Sequence, residues 1–385
     1  MRNVDEILAA VQQLAPIIEA AKYTFDRDRQ LPEHVVSAMH EVGLFHLWLP
    51  RELGGPALNL RDAARVLEAV AQIDGAPSWC ACIATTYSRL GAFLPRHVAS
   101  KIFVEDRAIV GGTFVCGRAD VVEGGYRLTG RMPYSSGIRH CHWAVGGGSV
   151  FKDGIPRMMA NGAQETRTML YPSSQIEVLD TWDVGGLRGT GSHDYVVNNL
   201  FVPDEQTVLE HGQSTDCAGG FYRIPPYTTY PVSIAAVLLG IARNALNLFY
   251  GLATAKVPRS GSRRVCEDES VQTAIGRAEG ALRSARAFLF EITEELDSAS
   301  EAGDKISIKQ RMMLRLACAQ VAAAAKETVQ IVYDAAGGSS VYEANGIQRC
   351  FRDLYAATQH VQVQTVNFKW VGQVAMGLEP STSRF

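Results

Sequence analysis

The spacing of apolar residues changes twice along this chain of 385 residues, and these two changes constrain its fold more than any other feature. Apolar side chains follow helical spacing in Val4–Ile18. The same period returns in Val35–Leu44, Leu60–Ile73 and Trp79–Leu90. From about Ile109, glycine-rich turns separate short runs that are typical of strands. We therefore expect about a hundred helical residues followed by a β domain.

The helical period resumes after the β region and a polar stretch at Glu210–Gly220. Between Val271 and Leu296, apolar residues alternate steps of four and three, which is typical of a seam in an antiparallel bundle. Ile308–Ala336 is rich in alanine and apolar on several faces, which predicts burial among other helices or subunits. The predicted strands are Tyr126–Gly130, Trp143–Val150, Thr166–Tyr171, Ile176–Leu179 and Tyr195–Val202.

This order predicts an α+β protein that is mainly α, with three domains. We place an N-terminal helical domain at residues 1–108, a middle β domain at 109–215 and a C-terminal helical bundle at 216–385.

Charge and composition exclude several classes of partner. The 37 basic and 40 acidic residues give a net charge of −3, which argues against a nucleic-acid partner. The apolar run Val232–Ala242 ends at Arg243 and is too short to span a bilayer. The N-terminus begins with an amphipathic helix rather than a signal peptide, and eight scattered cysteines suggest reduced thiols. We expect a cytoplasmic protein that does not bind membranes.

Four segments resemble, in the same order, signatures of the acyl-CoA dehydrogenase superfamily. They are Gly43–Gly55, Tyr126–Gly137, Leu200–Pro203 and Gly337–Asp353. The resemblance implies that superfamily's fold: an N-terminal helical domain, a middle β-barrel or sandwich domain and a C-terminal four-helix bundle. Because one fold supports several chemistries, the activity must be argued from individual residues.

Departures from the dehydrogenase pattern favour a second branch of the superfamily. Thr113–Asp120 reads TFVCGRAD, where dehydrogenases resemble one another in TEPxAGSD. Val361 stands nine residues after Arg352, where dehydrogenases commonly carry a glutamate base. His360 and the segment Trp182–Asp194 instead resemble two-component flavin-dependent monooxygenases, such as 4-hydroxyphenylacetate hydroxylase and dibenzothiophene monooxygenase.

This second resemblance implies an oxygenase component that takes reduced FMN or FAD and O₂, and forms a C4a-hydroperoxyflavin. Such an intermediate must be kept dry and hydrogen-bonded. The implied reaction is hydroxylation of a small aromatic molecule such as a phenol or indole. A separate NAD(P)H:flavin reductase is implied, because no Rossmann context surrounds Gly186–Gly191. Relatives assemble as tetramers, so a homotetramer is expected.

The resemblance also implies positions for the flavin contacts. Ser136 would face flavin N5, with Gly137 beside it and Tyr134 next to the ring; a turn serine is the alternative reading of Ser136. The further candidates are Arg263 for the phosphate, within the basic stretch Lys256–Arg264, Arg188 and Thr190 for the edge of flavin or substrate, and Gly337 and Gly338 for a contact from a neighbouring subunit. A solvated loop remains open for Arg263, and a simple β-turn for Arg188 and Thr190.

His360 is the leading catalytic candidate, expected on a helix, where it would deprotonate a phenol or position the hydroperoxide. A structural histidine is the alternative. Trp79, Tyr87 and Phe114 would line the substrate pocket with His360. Tyr87 stands where many relatives carry a second histidine, so the substrate or its activation is expected to differ.

Metal binding is not expected. His140 and His142, and Cys80 and Cys82, have tempting spacings but no matched second pair. Three alternative functions stay open: N-oxygenation of an amine, acyl-CoA dehydrogenation with Glu343 or another carboxylate as base, and a non-catalytic helical interaction protein.

Overall fold

The computed structural model describes residues 2–114, 116–209, 215, 217, 219–258 and 262–380. The chain divides into two compact units. The first comprises Met1–Leu58, Cys80–Asp183 and Arg188–Arg223, and the second comprises Asn59–Trp79, Val184–Leu187 and Ile224–Phe385. The predicted polar stretch Glu210–Gly220 lies largely outside the described residues.

The described helices and strands follow the order that the sequence predicts. The helices are α1 (Val4–Asp28), α2 (Glu33–Val42), α3 (Leu60–Ala71), α4 (Gly75–Ser88), α5 (Arg96–Ser100), α6 (Pro226–Ala255), α7 (Glu269–Glu301), α8 (Ile308–Ala336), α9 (Ile347–Ala357) and α10 (Val366–Ala375). The strands are β1 (Val110–Gly112), β2 (Gly117–Val122), β3 (Gly125–Met132), β4 (Trp143–Lys152), β5 (Ile155–Pro156), β6 (Thr166–Pro172), β7 (Glu177–Leu179), β8 (Asp194–Pro203) and β9 (Thr207–Leu209). Each segment predicted as helix or strand is confirmed.

The first unit contains the sheet, whose strands run in the order β7-β8-β3-β2-β4-β6-β9, with β1 and β5 pairing to β4. Strands β2, β3 and β8 pair antiparallel, whereas β1 and β2 run parallel to β4. A buried apolar cluster that includes Leu90, Phe103 and Trp143 forms part of this unit's core. The sheet brings the ends of β3 and β8 together, because Met132 pairs with Tyr195.

A pair of buried tyrosines fixes the middle of this sheet. The Tyr171 and Tyr195 hydroxyls lie 2.8 Å apart, and the Tyr195 hydroxyl donates to the Val145 carbonyl at 2.7 Å. A Cβ at Gly146 would lie 2.3 Å from the Tyr171 hydroxyl, so only glycine fits at that point of β4. The close approach therefore explains one of the glycines in the run after Trp143.

The second unit is helical and is organised around α6. This helix is long and apolar enough to span a membrane, but 78% of its most apolar window is buried inside the structure, as in the core helix of a soluble protein. It packs against α3, α8 and α9. A Cβ at Gly240 would lie 2.3 Å from the Ala71 Cβ, so α3 and α6 approach closely through small residues.

Helices α7 and α8 pack together through the predicted seam. Ala278, Leu282, Leu289 and Leu296 are buried along α7 within a single chain. The sequence leaves open whether these apolar faces are buried among helices of one chain or against other subunits. The structure buries the seam within one chain from Ala278 to Leu296, whereas Val271 and Ile275 at its start are only partly buried, so the buried part carries no argument for a second subunit.

Candidate active site

Three buried hydroxyls form a chain in the first unit. The Ser136 Oγ lies 2.8 Å from the Ser192 Oγ, which in turn lies 2.6 Å from the Thr190 Oγ1. Ser136 is 6% exposed, and both partners are more deeply buried. Because buried hydroxyls are costly without partners, this chain holds each side chain in a fixed orientation.

Main-chain hydrogen bonds hold together the two segments that carry these hydroxyls. The Gly137 N–H donates to the Thr190 carbonyl at 2.8 Å, and the Ser135 N–H donates to the His193 carbonyl. Gly137 has a left-handed φ of 70°, which glycine adopts without strain. The turn after β3 and the segment before β8 thus form one polar cluster, the hydroxyl cluster, made of Ser136, Thr190 and Ser192.

His193 lies directly beside the hydroxyl cluster and is fully buried. Its Nδ1 accepts hydrogen bonds from the Thr181 and Trp182 N–H groups, at 3.2 and 3.1 Å. Burial is the main cause that lowers its pKa. The ring is therefore neutral with its proton on Nε2, which has no hydrogen-bond partner among the described residues. In the sequence, His193 stands out only as part of the segment Trp182–Asp194.

Tyr134 has an unusual combination of backbone and exposure. Its φ is 56°, in the left-handed region that an aromatic residue rarely adopts, and its side chain is 71% exposed. The ring meets Trp182 edge to face, with centroids 6.3 Å apart. Strain of this kind is concentrated at ligand sites, so Tyr134 is a candidate platform for a planar ligand.

Arg188 has structural partners in the same unit. Its Nε donates to the Asp26 carbonyl at 3.0 Å, and its Nη1 pairs with Asp183 at 3.0 Å. Thr190, by contrast, is fully buried within the hydroxyl cluster. The β-turn alternative thus fits Arg188 better than it fits Thr190.

Two predicted pocket residues meet in the first unit. The rings of Tyr87 and Phe114 lie 5.9 Å apart at a tilt of 57°. Tyr87 is buried, and Phe114 is partly buried. The contact joins the end of α4 to the segment after β1, far apart in the sequence.

The second unit contains the other two pocket candidates. The Trp79 ring meets the His360 ring edge to face, with centroids 5.8 Å apart. The expected helical position of His360 is wrong: α9 ends at Ala357, and His360 instead caps a short 3₁₀ turn at Val361–Val363. Its Nδ1 accepts a hydrogen bond from the Gln362 N–H at 3.3 Å.

Arg315 is the residue near His360 that sequence reasoning missed. It is 3% exposed on α8 and donates to the Gln362 side-chain oxygen and to the Tyr227 carbonyl. Burial, together with the Arg315 charge, lowers the pKa of His360 to about 4. The available signal was local: Arg315 stands between Leu314 and Leu316, at the start of the alanine-rich part of the helix.

The remaining candidates also belong to the second unit. Arg263 is exposed, while neighbouring Arg264 pairs with Glu267 at 2.7 Å. Arg259, part of the predicted basic stretch, lies outside the described residues. Gly337 and Gly338 follow α8 in an exposed 3₁₀ turn, where Gly337 has a φ of 57°. Within the described part of the chain, no group of histidine, cysteine and acidic side chains is arranged to hold a metal.

Comparison with known proteins identifies the family. The acyl-CoA dehydrogenase N-terminal domain profile matches residues 6–92, and the C-terminal domain profile matches residues 232–365. The chain belongs to the acyl-CoA dehydrogenase superfamily.

Relatives within the superfamily identify the branch. The chain is 29% identical to indole-3-acetate monooxygenase of Pseudomonas putida, covering 92% of this chain and 90% of that protein. It is 24% identical to the oxygenase component of FADH₂-dependent resorcinol hydroxylase of Rhizobium sp., covering 97% and 95%. The crystal structure of the HsaA monooxygenase from Mycobacterium tuberculosis superposes with a TM-score of 0.89 at 25% identity, covering 99% and 100%. This superfamily member is thus a flavin-dependent monooxygenase, which uses O₂, and the predicted class and fold are confirmed.

The first unit offers groups that suit a flavin ring. A flavin is planar and apolar, with a hydrogen-bonding edge. The hydroxyl cluster supplies buried, uncharged donors and acceptors, and the exposed ring of Tyr134 lies two residues from Ser136. The strained, exposed Tyr134 is the observation that favours this fit, because a left-handed backbone is costly for an aromatic residue and most of its ring remains exposed beside Trp182.

Proposed function

We propose that this chain is the oxygenase component of a two-component system and hydroxylates a small aromatic molecule such as a phenol or indole, using flavin reduced by a separate reductase. One observation carries the proposal against a dehydrogenase. The position where a dehydrogenase needs its carboxylate base is Val361, and the residue before it is the neutral His360.

The aromatic substrate class is supported by side chains in both units. Trp79 contacts His360 in one, and Tyr87 contacts Phe114 in the other. Relatives named for indole-3-acetate and resorcinol support the same class. Tyr87, in place of a histidine, supplies a hydroxyl that is a poor base at neutral pH.

We assign the protein's own groups the following roles. In the first unit, Ser136, Gly137, Thr190 and Tyr134 contact the ring of a flavin. In the second unit, Arg263 contacts a flavin phosphate, and Gly337 and Gly338 contact the flavin of a neighbouring subunit. The flavin supplies activation of O₂ when bound. The apolar residues exclude water. His360, in the second unit, orients the substrate oxygen by hydrogen bonding, and Tyr87, in the first unit, offers a hydroxyl for hydrogen bonding to substrate.

We also infer a homotetramer and a cytoplasmic location. Exposed apolar side chains remain in the second unit, including Val341, Tyr342, Met376 and Leu378, and these favour association. Light scattering of the purified protein tests the tetramer. A monomer would also contradict the assignment of Gly337 and Gly338 to a neighbouring subunit's flavin.

The decisive experiment is oxygen-isotope labelling. The purified protein is mixed with a flavin reductase, NADH, FMN or FAD and a panel of phenols, indoles and amines under ¹⁸O₂. We expect one ¹⁸O atom on a ring carbon of the product. An ¹⁸O atom bonded to the nitrogen of an amine would overturn aromatic hydroxylation while retaining the oxygenase class. Bleaching of bound flavin by an acyl-CoA, without labelled product, would overturn both.

A further inference from the structure

His360 occupies a turn whose hydrogen bonds decide which ring nitrogen carries the proton. The backbone N–H of Gln362 can only donate a hydrogen bond, and it donates to the Nδ1 of His360. An imidazole nitrogen that accepts this bond must hold a lone pair. The neutral ring therefore has its proton on Nε2.

A buried cation anchors that turn. Arg315 donates to the side-chain oxygen of Gln362, and through its other terminal nitrogen to the Tyr227 carbonyl on α6. Gln362 is itself buried, at 3% exposed. Arg315, on α8 and bonded to α6, thus holds the Gln362 side chain, which restrains the residue so that its N–H keeps its direction toward His360.

The opposite nitrogen of the ring remains available. Among the residues that the structure describes, the Nε2 of His360 has no hydrogen-bond partner. Protonation of the ring is opposed by burial and by Arg315, the charged group that acts on it. At neutral pH the side chain therefore offers one N–H donor and no free acceptor.

We infer that His360 acts as a hydrogen-bond donor through Nε2 to an oxygen of the substrate, rather than as a general base, and that Arg315 and Gln362 are positioning residues that fix this tautomer. The identity of the acceptor, an oxygen of the substrate, rests on the proposed function. The tautomer of His360 does not, because it is set by hydrogen bonds within the protein. Acting as a base through Nε2 would require a proton on Nδ1, which the Gln362 N–H excludes. A phenol would then enter with its own hydroxyl accepting from His360, and its anionic form would be stabilised most.

The tautomer can be measured without turnover. Full-length protein labelled with ring-¹⁵N histidine is examined by solid-state ¹⁵N NMR at neutral pH, and the His360 signals are assigned by their loss in His360→Gln. We expect a non-protonated Nδ1 and a protonated Nε2. A protonated Nδ1 would overturn the inference, whatever the enzyme's activity.

The positioning role is tested by Gln362→Met, which keeps the side-chain length but removes the oxygen that Arg315 binds. We expect both tautomers in the spectrum and a fall in kcat of about 2-fold with KM little changed, because about half of the donor population is lost. Gln364→Met is the matched control: Gln364 lies in the same loop and bonds the Gln359 carbonyl instead. A single tautomer in Gln362→Met would overturn the role of Arg315 and Gln362. If no aromatic substrate is oxidised by any form of the enzyme, the proposed function fails, and the spectra still decide the tautomer.

Discussion

The hydroxyl cluster and the His360 turn both orient small polar groups, but they do so by different means. In the hydroxyl cluster, neutral hydroxyls share hydrogen bonds and main-chain pairing holds two loops together. In the His360 turn, one buried guanidinium fixes a backbone amide, which fixes a ring. In the hydroxyl cluster, several weak hydrogen bonds share the task of orienting the side chains, whereas the orientation of His360 depends on one charged group. We therefore expect the first to tolerate single substitutions better.

The largest effect should come from His360→Phe, which keeps an aromatic ring against Trp79 but removes the Nε2 donor. Product formation should fall by about 10²- to 10³-fold, as for loss of a single preorganised donor. The measurement is the initial rate with excess reductase, alongside hydrogen peroxide release. His34→Phe, at an exposed histidine, is the control. Unchanged product formation in His360→Phe would show that the hydroxyl cluster alone orients the reaction.

The second prediction concerns stability against pH. Folding lowers the pKa of His360 from 6.5 to about 4, so the unfolded chain binds more protons between these values. The unfolding free energy contributed by this group is therefore complete above pH 6.5 and decreases as pH falls toward 4, by about 3 kcal/mol. Urea titrations across this range should show a shallower decrease for His360→Phe. Identical slopes would mean that the ring is solvated in the folded chain.

The third prediction compares two serines of the hydroxyl cluster. Ser192 lies between two partners, so Ser192→Ala leaves both Ser136 and Thr190 short of a bond and should lower the unfolding free energy by about 2 kcal/mol. Ser136→Ala removes an end of the chain and should cost about 1 kcal/mol, while weakening the binding of reduced flavin more than Ser192→Ala does. Thermal unfolding and anaerobic flavin titration separate the two effects. Equal flavin affinity in the two variants would contradict the contact assigned to Ser136.

The smallest effect is expected in the basic stretch of the second unit. Arg263→Ala should weaken reduced FMN binding by about 10-fold, the equivalent of one exposed phosphate contact of about 1.4 kcal/mol. Arg264→Ala is the matched control, since Arg264 already pairs with Glu267. Anaerobic titration with FMN and with riboflavin, which lacks the phosphate, distinguishes a phosphate contact from a general loss. If riboflavin binding weakens equally, Arg263 does not hold the phosphate.

The periodicity of the sequence predicts the elements of this fold well, because helices such as α8 and strands such as β4 are continuous patterns. The hydroxyl cluster was partly predictable, since Ser136 and the segment at Arg188–Asp194 are local motifs. The His360 turn was not, because its geometry depends on Arg315, 47 positions from Gln362 along the chain. The sequence also predicts His360 on a helix, whereas α9 ends at Ala357. The contact between residues so far apart leaves no local pattern to read.

Tyr134 has a consequence for engineering the enzyme. A non-glycine residue in the left-handed region raises the energy of the folded chain, so Tyr134→Gly should relieve strain, and an exposed aromatic ring contributes little to the fold in return. Directed evolution that selects only for heat resistance will therefore favour replacements at residue 134. Because the Tyr134 ring is assigned to the flavin site, the selected variants will be more thermostable but less active as oxygenases. A screen that couples survival at high temperature to product formation would retain the tyrosine.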